Sequence, residues 1–332
     1  MSGSSFGLAL IGAGRIGKIH ARNAAEDPRL ELRTVVDPMP GAADALASEH
    51  GARVSGLDAA LADPAVAGVI IASSTDTHLD YTLRAARAGK AVFCEKPLDL
   101  DLDRARGAAD DLAALGRPVF LAFNRRFDPN FRALKARLDA GAVGTLETLH
   151  IISHDPAPPP MGYIPVSGGL FKDMAIHDFD MARWLLGEEP AEVFASASCM
   201  VDPQIGRLGD VDTARTVLRT VSGRLCMISN SRRSGYGYDQ RIEAFGSGGV
   251  IRAGNVTEST VEVWTEAGAQ ADRFQNFFLD RYRDAYRLEM AHFAAVLAGE
   301  AEPEVGYRDG VAALAIAEAA GESARTGRVV RL

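Results

Sequence analysis

Gly12-Ala13-Gly14-Arg15-Ile16-Gly17 is the stretch that most restricts how this chain can fold. It has the form G-x-G-x-x-G, with the apolar run Phe6–Ile11 directly before it and a helical pattern through Ala25 after it. In that setting each glycine has a task. Gly12 turns the chain tightly, Gly14 lets backbone approach a pyrophosphate, and Gly17 lets the helix lie close to the strand. The start of the helix then offers unpaired N–H groups to phosphate oxygens. Arg15 and Ile16 share that turn and join the candidate cofactor contacts. A second strand, residues 30–36, ends at Asp37, twenty residues beyond Gly17, where a carboxylate accepts from the adenosine ribose hydroxyls. Pro38 and Met39 follow, with no Arg or Ser to receive a 2′-phosphate. A carboxylate repels that phosphate, so the sequence favours NAD over NADP.

The alternation continues with a short strand at Val54, a helix over 58–62, and a strand over 67–72 ending in the hydroxyl-rich loop from Ser73 to His78. A helix over 79–88 leads to the strand Ala91–Cys94, which ends in Glu95-Lys96-Pro97. A sixth strand, 119–123, ends in Asn124-Arg125-Arg126-Phe127-Asp128-Pro129. Six strand-then-helix units predict a doubly wound parallel sheet. Loops at the carboxyl ends of such strands line the ligand crevice. Ser74, Thr75, His78, Glu95 and Lys96 are therefore cofactor candidates, with helix capping the alternative role for Ser74 and Thr75.

At 332 residues the chain has room for about two domains, and 47% hydrophobic residues supply a core without disulfide or metal staples. The formal charge of −8 argues against a nucleic-acid partner. No run of about 18 apolar residues implies a membrane span. The N-terminus lacks the basic-then-apolar pattern of a secretory signal. Cys94, Cys199 and Cys226 are odd in number and far apart, which reads as buried free thiols in a reducing cytoplasm. There is no H-E-x-x-H, no cysteine pair at zinc spacing and no G-x-S-x-G nucleophile elbow at a strand-to-helix turn (Gly3–Gly7 has that spelling but leads into the first strand), so no metal is expected and no serine nucleophile.

Beyond residue 124 the pattern changes to partly alternating strands at 146–152, 191–200, 213–220, 225–230, 240–244 and 260–264, and helices at 282–298 and 311–326. Between the first two strands, Gly168-Gly169 mark a turn, and apolar residues then recur at helical spacing from Phe171 to Leu186. The spacing predicts one helix with Asp173 and His177 one turn apart on one face. A carboxylate beside an imidazole can fix its tautomer and raise its basicity, which suits proton transfer.

Four pieces now stand in order: the glycine loop with Asp37, Glu95-Lys96-Pro97, Asn124-Arg125-Arg126-Phe127-Asp128, and the helix bearing Asp173 and His177. Together they resemble the glucose-fructose oxidoreductase and inositol dehydrogenase family, often called Gfo/Idh/MocA. The strings from Phe123 to Pro129, Ile176 to Met181 and Gly237 to Arg241 look most like the inositol 2-dehydrogenases within it. The resemblance implies an NAD-binding Rossmann domain over 1–124 and a substrate and oligomerisation domain over 125–332. The second would be an α/β domain with a large, open, mostly antiparallel sheet, and the helix at about 309–326 would pack back on the first. A homo-oligomer, dimer or tetramer, would form through that sheet.

The resemblance also implies a catalytic group of Lys96, Asp173 and His177. Oxidising a secondary alcohol needs a hydride acceptor and a base for the hydroxyl proton. His177 would be the general base, Asp173 would orient it, and Lys96 would stabilise developing alkoxide charge. The Lys96–Pro97 bond is a candidate cis peptide. Asn124, Arg126, His154, Asp155, Tyr236, Tyr238 and Asp239 mix donors and acceptors, as a neutral polyol requires. Tyr236 and Tyr238 share parity if they lie on a strand. Arg125 and Arg126 would instead suit a carboxylate, which keeps a sugar acid in play. The expected activity is NAD-dependent oxidation of a ring alcohol of a cyclic polyol, myo- or scyllo-inositol to the keto-inositol. The alternatives are a dehydrogenase or reductase of another sugar, such as an aldose, and a non-catalytic NAD sensor.

Overall fold

The computed structural model describes residues 5–332. Two compact units divide them. One takes the chain up to Phe127 together with Ala285–Leu314, and the other takes Asp128–Asp284 together with Ala315–Leu332. A single boundary at 124/125 is thus replaced by crossings after Phe127, Asp284 and Leu314. The segment returning to the first unit begins earlier than the expected helix. The helix itself, Tyr307–Thr326, is divided between the units.

The first unit carries strands β1 (Phe6–Ile11), β2 (Leu30–Val36), β3 (Arg53–Val54), β4 (Val66–Ile71), β5 (Ala91–Cys94) and β6 (Val119–Leu121). They form one sheet in the order β3-β2-β1-β4-β5-β6, and every pairing is parallel. β5 and β6 are buried throughout, as strands covered on both faces must be. The chain winds outward from β1 to β3, then returns to β4 and winds the other way. This reversal places a topological switch point between β1 and β4, where a crevice opens at the carboxyl ends of the strands. Phe93 of β5 stacks on Phe120 of β6 at 5.0 Å, and Phe293 meets Phe93 edge-on at 5.5 Å. Phe293 thereby fixes the returning helix Arg283–Leu297 to the sheet.

The second unit carries β7 (Leu146–His154), β8 (Pro190–Ser198), β9 (Thr213–Thr220), β10 (Leu225–Ser231), β11 (Asp239–Gly246), β12 (Gly249–Ala253) and, at the end of the chain, Val330–Arg331. They pair in the order β12-β11-β7-β10-β9-β8, with Val330–Arg331 beside β8. All pairings are antiparallel except β7 with β10. One face is core: Val193, Leu218, Cys226, Ile228, Leu149, Ile151 and Ala244 are buried, and the helix Ile176–Leu186 packs on β7. The run read as a strand at 260–264 becomes Glu262–Thr265. It pairs with Gly268–Ala271 in a separate exposed hairpin and does not join this sheet. β12 follows a glycine cluster that reads as a turn, and Val330–Arg331 is too short to show a period.

The helix expected from Phe171 to Leu186 is two helices, Gly169–Asp173 and Ile176–Leu186. The N–H groups of Met174 and Ala175 both donate to the Leu170 carbonyl, at 3.1 and 2.9 Å. The second of these spans one residue too many for an α-helix, so the ladder breaks there. Asp173 closes the first helix and His177 lies in the first turn of the next, so they do not share one helix face.

Candidate active site

In the first unit the glycine loop is shaped by backbone crowding. Gly12 has φ +103°, and a Cβ built on it would stand 2.3 Å from the Ala72 carbonyl oxygen. A Cβ on Gly17 would stand 1.9 Å from the Gly12 carbonyl oxygen. Gly14 differs: its built Cβ meets nothing within 4 Å. Packing within the protein therefore explains Gly12 and Gly17, whereas at Gly14 the bare backbone faces open space that a pyrophosphate would fill. Gly14 also precedes the helix Arg15–Glu26 with no side-chain cap, leaving the first N–H groups for an anion. Exposed Arg15 and half-buried Ile16 flank that opening. Asp37, at the end of β2, accepts from the N–H of Ala13 at 2.7 Å and of Met39 at 2.8 Å. One oxygen thus ties down the glycine loop, and each oxygen keeps a lone pair for a ribose hydroxyl. These residues fit an adenine dinucleotide.

The loops after β4 and β5 are joined by His78. Its Nδ1 lies 2.8 Å from the Pro97 carbonyl and its Nε2 3.2 Å from that of Ser73. Burial lowers its pKa, so the ring stays neutral and donates from one nitrogen only. The shorter bond, to Pro97, is the natural choice. His78 is buried and turned to backbone, whereas Ser74 is exposed and Thr75 partly so. Ser73 Oγ bonds Thr77 Oγ1 at 2.7 Å, and Thr77 in turn bonds the Ser74 carbonyl, closing a 3-10 turn. The Lys96–Pro97 bond is cis. Glu95 shares a 2.7 Å hydrogen bond with His20 Nε2, from the helix that follows the glycine loop. Behind it lies Glu289, fully buried, whose pKa burial and the charge of Glu95 raise well above the ordinary carboxyl value. Asn124 and Arg126 are buried in a 3-10 turn after β6. Arg126 donates to Asp309 at 2.9 Å and to the Glu304 carbonyl at 3.2 Å, in the returning segment.

In the second unit Asp173 and His177 are both half-buried. Asp173 Oδ1 accepts from the Tyr163 hydroxyl at 3.1 Å, and its Oδ2 faces buried Arg232 at 3.6 Å. A second cluster gathers on Asp239, at the head of β11. Tyr236 donates to it at 2.8 Å, Asn255 at 2.6 Å, and Arg241 bidentately at 2.7 and 2.9 Å. Burial works against the Asp239 charge, but these donors outweigh it and hold the carboxyl below its usual value. His154, at the end of β7, pairs with Asp239 across the register and hydrogen-bonds Ser229 Oγ at 2.8 Å. Burial lowers its pKa despite the nearby Asp239 charge. The Asp155 N–H extends the ladder to the Ser231 carbonyl.

Tyr236 and Tyr238 do not share a strand face. Both precede β11 in a turn through Gly237, at φ +124°, and their environments differ. Tyr236 is 51% exposed, whereas Tyr238 is 7% exposed and packs edge-on against Tyr282. Sequence reasoning missed Tyr163, Asp210, Arg232 and the His20–Glu95 bond. No spacing signals them: Asp210, Arg232 and His20 have partners far away in the chain, and Tyr163 reaches Asp173 across an irregular stretch. The cysteines are free. Cys94 and Cys226 are buried and Cys199 is half-buried. Burial pushes the Cys94 thiol up to about 12 and raises that of Cys226 as well. Among the described residues no group of three His, Cys, Asp or Glu side chains is placed to hold a metal ion.

A doubly wound sheet with this glycine loop and Asp37 defines an NAD-binding domain. Residues 6–123 match the family model described as the oxidoreductase family with NAD-binding Rossmann fold, and residues 131–252 match that of the GFO/IDH/MocA C-terminal domain. The chain belongs to the GFO/IDH/MocA family. It is 45% identical over 325 residues to the inositol 2-dehydrogenase of Rhizobium meliloti, covering 98% of both chains. It is 45% identical over 327 residues to the myo-inositol 2-dehydrogenase of Thermotoga maritima, again over 98% of both. Among solved structures, the scyllo-inositol dehydrogenase of Lactobacillus casei with bound NAD(H) and scyllo-inositol superposes with a TM-score of 0.92, at 26% identity and 99% coverage of both chains.

Proposed function

We propose that this protein oxidises a ring secondary alcohol of an inositol, myo or scyllo, to the ketone with NAD. The observation that carries this reading is similarity over nearly the whole chain to two inositol 2-dehydrogenases, together with the presence of Lys96, Asp173 and His177. When bound, NAD supplies the hydride acceptor. His177 takes the proton of the reacting hydroxyl, Asp173 orients the imidazole, and Lys96 supplies a cation for the developing alkoxide. Asn124, His154, Asp155 and Tyr236 serve the remaining hydroxyls. Arg126 is engaged by Asp309, which favours a neutral polyol over a sugar acid.

The deciding experiment follows NADH formation with a panel of inositols, aldoses and sugar acids. Turnover with myo- or scyllo-inositol should exceed that with any aldose by at least about tenfold in kcat/KM, roughly the net worth of one hydrogen bond. Preference for an aldose would replace the substrate, and tight NAD binding with no turnover on any member would leave a sensor.

We also propose a homo-oligomer, dimer or tetramer, built on the outer face of the large sheet. Phe194, Val217 and Met227 lie in one row across β8, β9 and β10, beside Leu225, Phe245 and Val250, and each is at least 37% exposed. Exposed apolar residues gathered on one sheet face mark an interaction surface, here with Thr148 between Leu225 and Phe245. Sedimentation of the wild type against Met227→Glu tests it, with dissociation expected in the variant. Among the described residues no helix is long and apolar enough to cross a membrane. The free thiols support a cytoplasmic enzyme.

A further inference from the structure

Arg232 is 1% exposed, and within its surroundings its charge faces two carboxylates. Its Nη2 lies 3.6 Å from Asp173 Oδ2 and 3.7 Å from Asp210 Oδ2. Those separations are ion pairs, but they are too long for hydrogen bonds. Among the described residues Arg232 Nε and Nη2, and Asp210 Oδ2, have no hydrogen-bond partner. A buried guanidinium held just short of its acceptors is costly, and such an arrangement calls for an explanation beyond packing.

The two carboxylates sit at opposite ends of the helix Gly169–Asp173. Asp210 Oδ1 accepts the Leu170 N–H at 3.0 Å, at the start of that helix. Gly169 is required for the approach: at φ +80°, a Cβ on it would lie 2.7 Å from the same Asp210 oxygen. Asp173 forms the other end. Arg232 itself is pinned by its backbone N–H, which donates to the Asp212 carbonyl at 2.8 Å. One cation thus spans the anchor of the helix and the side chain the helix presents. On the other side the Tyr163 hydroxyl takes Asp173 Oδ1, so the carboxylate is oriented from both edges.

We propose that Arg232 is a positioning residue for the reaction: through Asp210 and Asp173 it fixes the carboxylate that orients His177. The inference rests on the proposed role of Asp173 and adds to it a residue buried beneath that carboxylate. The route to His177 ends at Asp173, with Asp210 holding the start of the helix that carries it.

A double-mutant cycle tests that route. Arg232→Met, Asp173→Asn and the double variant are compared by kcat, KM, NAD affinity and thermal melting. Arg232→Met is expected to lower kcat by roughly 10- to 100-fold with NAD affinity unchanged. In the Asp173→Asn background the same change should cost less than about threefold, because interacting groups are not additive. If Arg232→Met does not fold, Arg232→Lys enters the cycle in its place and is read the same way. Additive losses, or full activity in the Arg232 single variant, overturn the inference while leaving the dehydrogenase reading intact. Full activity in Asp173→Asn overturns the role assigned to Asp173, and this inference with it.

Discussion

The phosphate-binding loop of the first unit and the Asp173 region of the second reach definite geometry by opposite means. Around Gly12 and Gly17 the geometry is set by exclusion: no side chain fits between the helix, β1 and the backbone after β4. Around Asp173 it is set by attraction. Tyr163 and Arg232 arrive from separate segments and define the carboxylate by hydrogen bonding and charge, while Asp210 shares Arg232 and anchors the start of the helix. Exclusion is unforgiving. Attraction between segments far apart in the chain is adjustable, since any one partner can change without a backbone clash.

The sharpest way to break this contrast is His177→Ala. Turnover should fall by about two to four powers of ten while NAD affinity, a property of the first unit, stays within twofold. Full activity would remove the imidazole from the chemistry. Next in size is the pair Gly12→Ala and Gly14→Ala, read by melting temperature and NAD titration. Gly12→Ala forces a Cβ against the Ala72 carbonyl and should destabilise the first unit by roughly 2–4 kcal/mol. Gly14→Ala should change stability by less than about 0.5 kcal/mol, because its Cβ has space, yet weaken NAD measurably. Equal destabilisation by both would show that crowding does not distinguish the two glycines. Asp37→Ala should weaken NAD by roughly 10- to 100-fold, the value of a hydrogen bond to a charged group.

The smallest effect concerns Glu289, a side-chain liability in the unit otherwise governed by backbone. Its folded pKa is raised, so the folded carboxyl stays neutral while the unfolded chain ionises above about pH 4.3. Its contribution is therefore intact below that pH and is lost as pH rises toward the folded value. Glu289→Gln should raise the melting temperature by a few degrees at pH 8 and leave it nearly unchanged at pH 4. An equal shift at both pH values would mean that ionisation is not the cause.

The same contrast decides what could be read from the chain. Gly12, Gly14, Gly17 and Asp37 are legible because the motif that joins them lies within one strand-helix-strand unit, although the backbone that crowds Gly12 comes from the loop after β4. Four of the parallel strands, β1, β4, β5 and β6, follow from mostly apolar runs between turn signals, whereas β2 alternates and β3 is an exposed dipeptide placed by its order in the chain. In the second unit the strand runs from 146 to 244 are visible, but pairing is not. Nothing local shows that β7 pairs with β10 in parallel, or that Glu262–Thr265 stands apart in a hairpin. Helical spacing from Phe171 onward conceals the break at Met174, since a single displaced hydrogen bond leaves no trace in polarity. The turn at Gly237 defeats a parity argument for Tyr236 and Tyr238 for the same reason. Arg232 is beyond reach of any pattern, because its partners are defined only once the chain has folded.

Cys94 and Cys226 fall one to each unit, in β5 and β10, both sealed from solvent and both held as thiols by burial. The molecule thereby carries two native clocks. With Cys199 replaced by serine, the rate at which a thiol reagent modifies each remaining cysteine records how often its own unit opens, with no dye attached. Added NAD should slow the first clock and leave the second running.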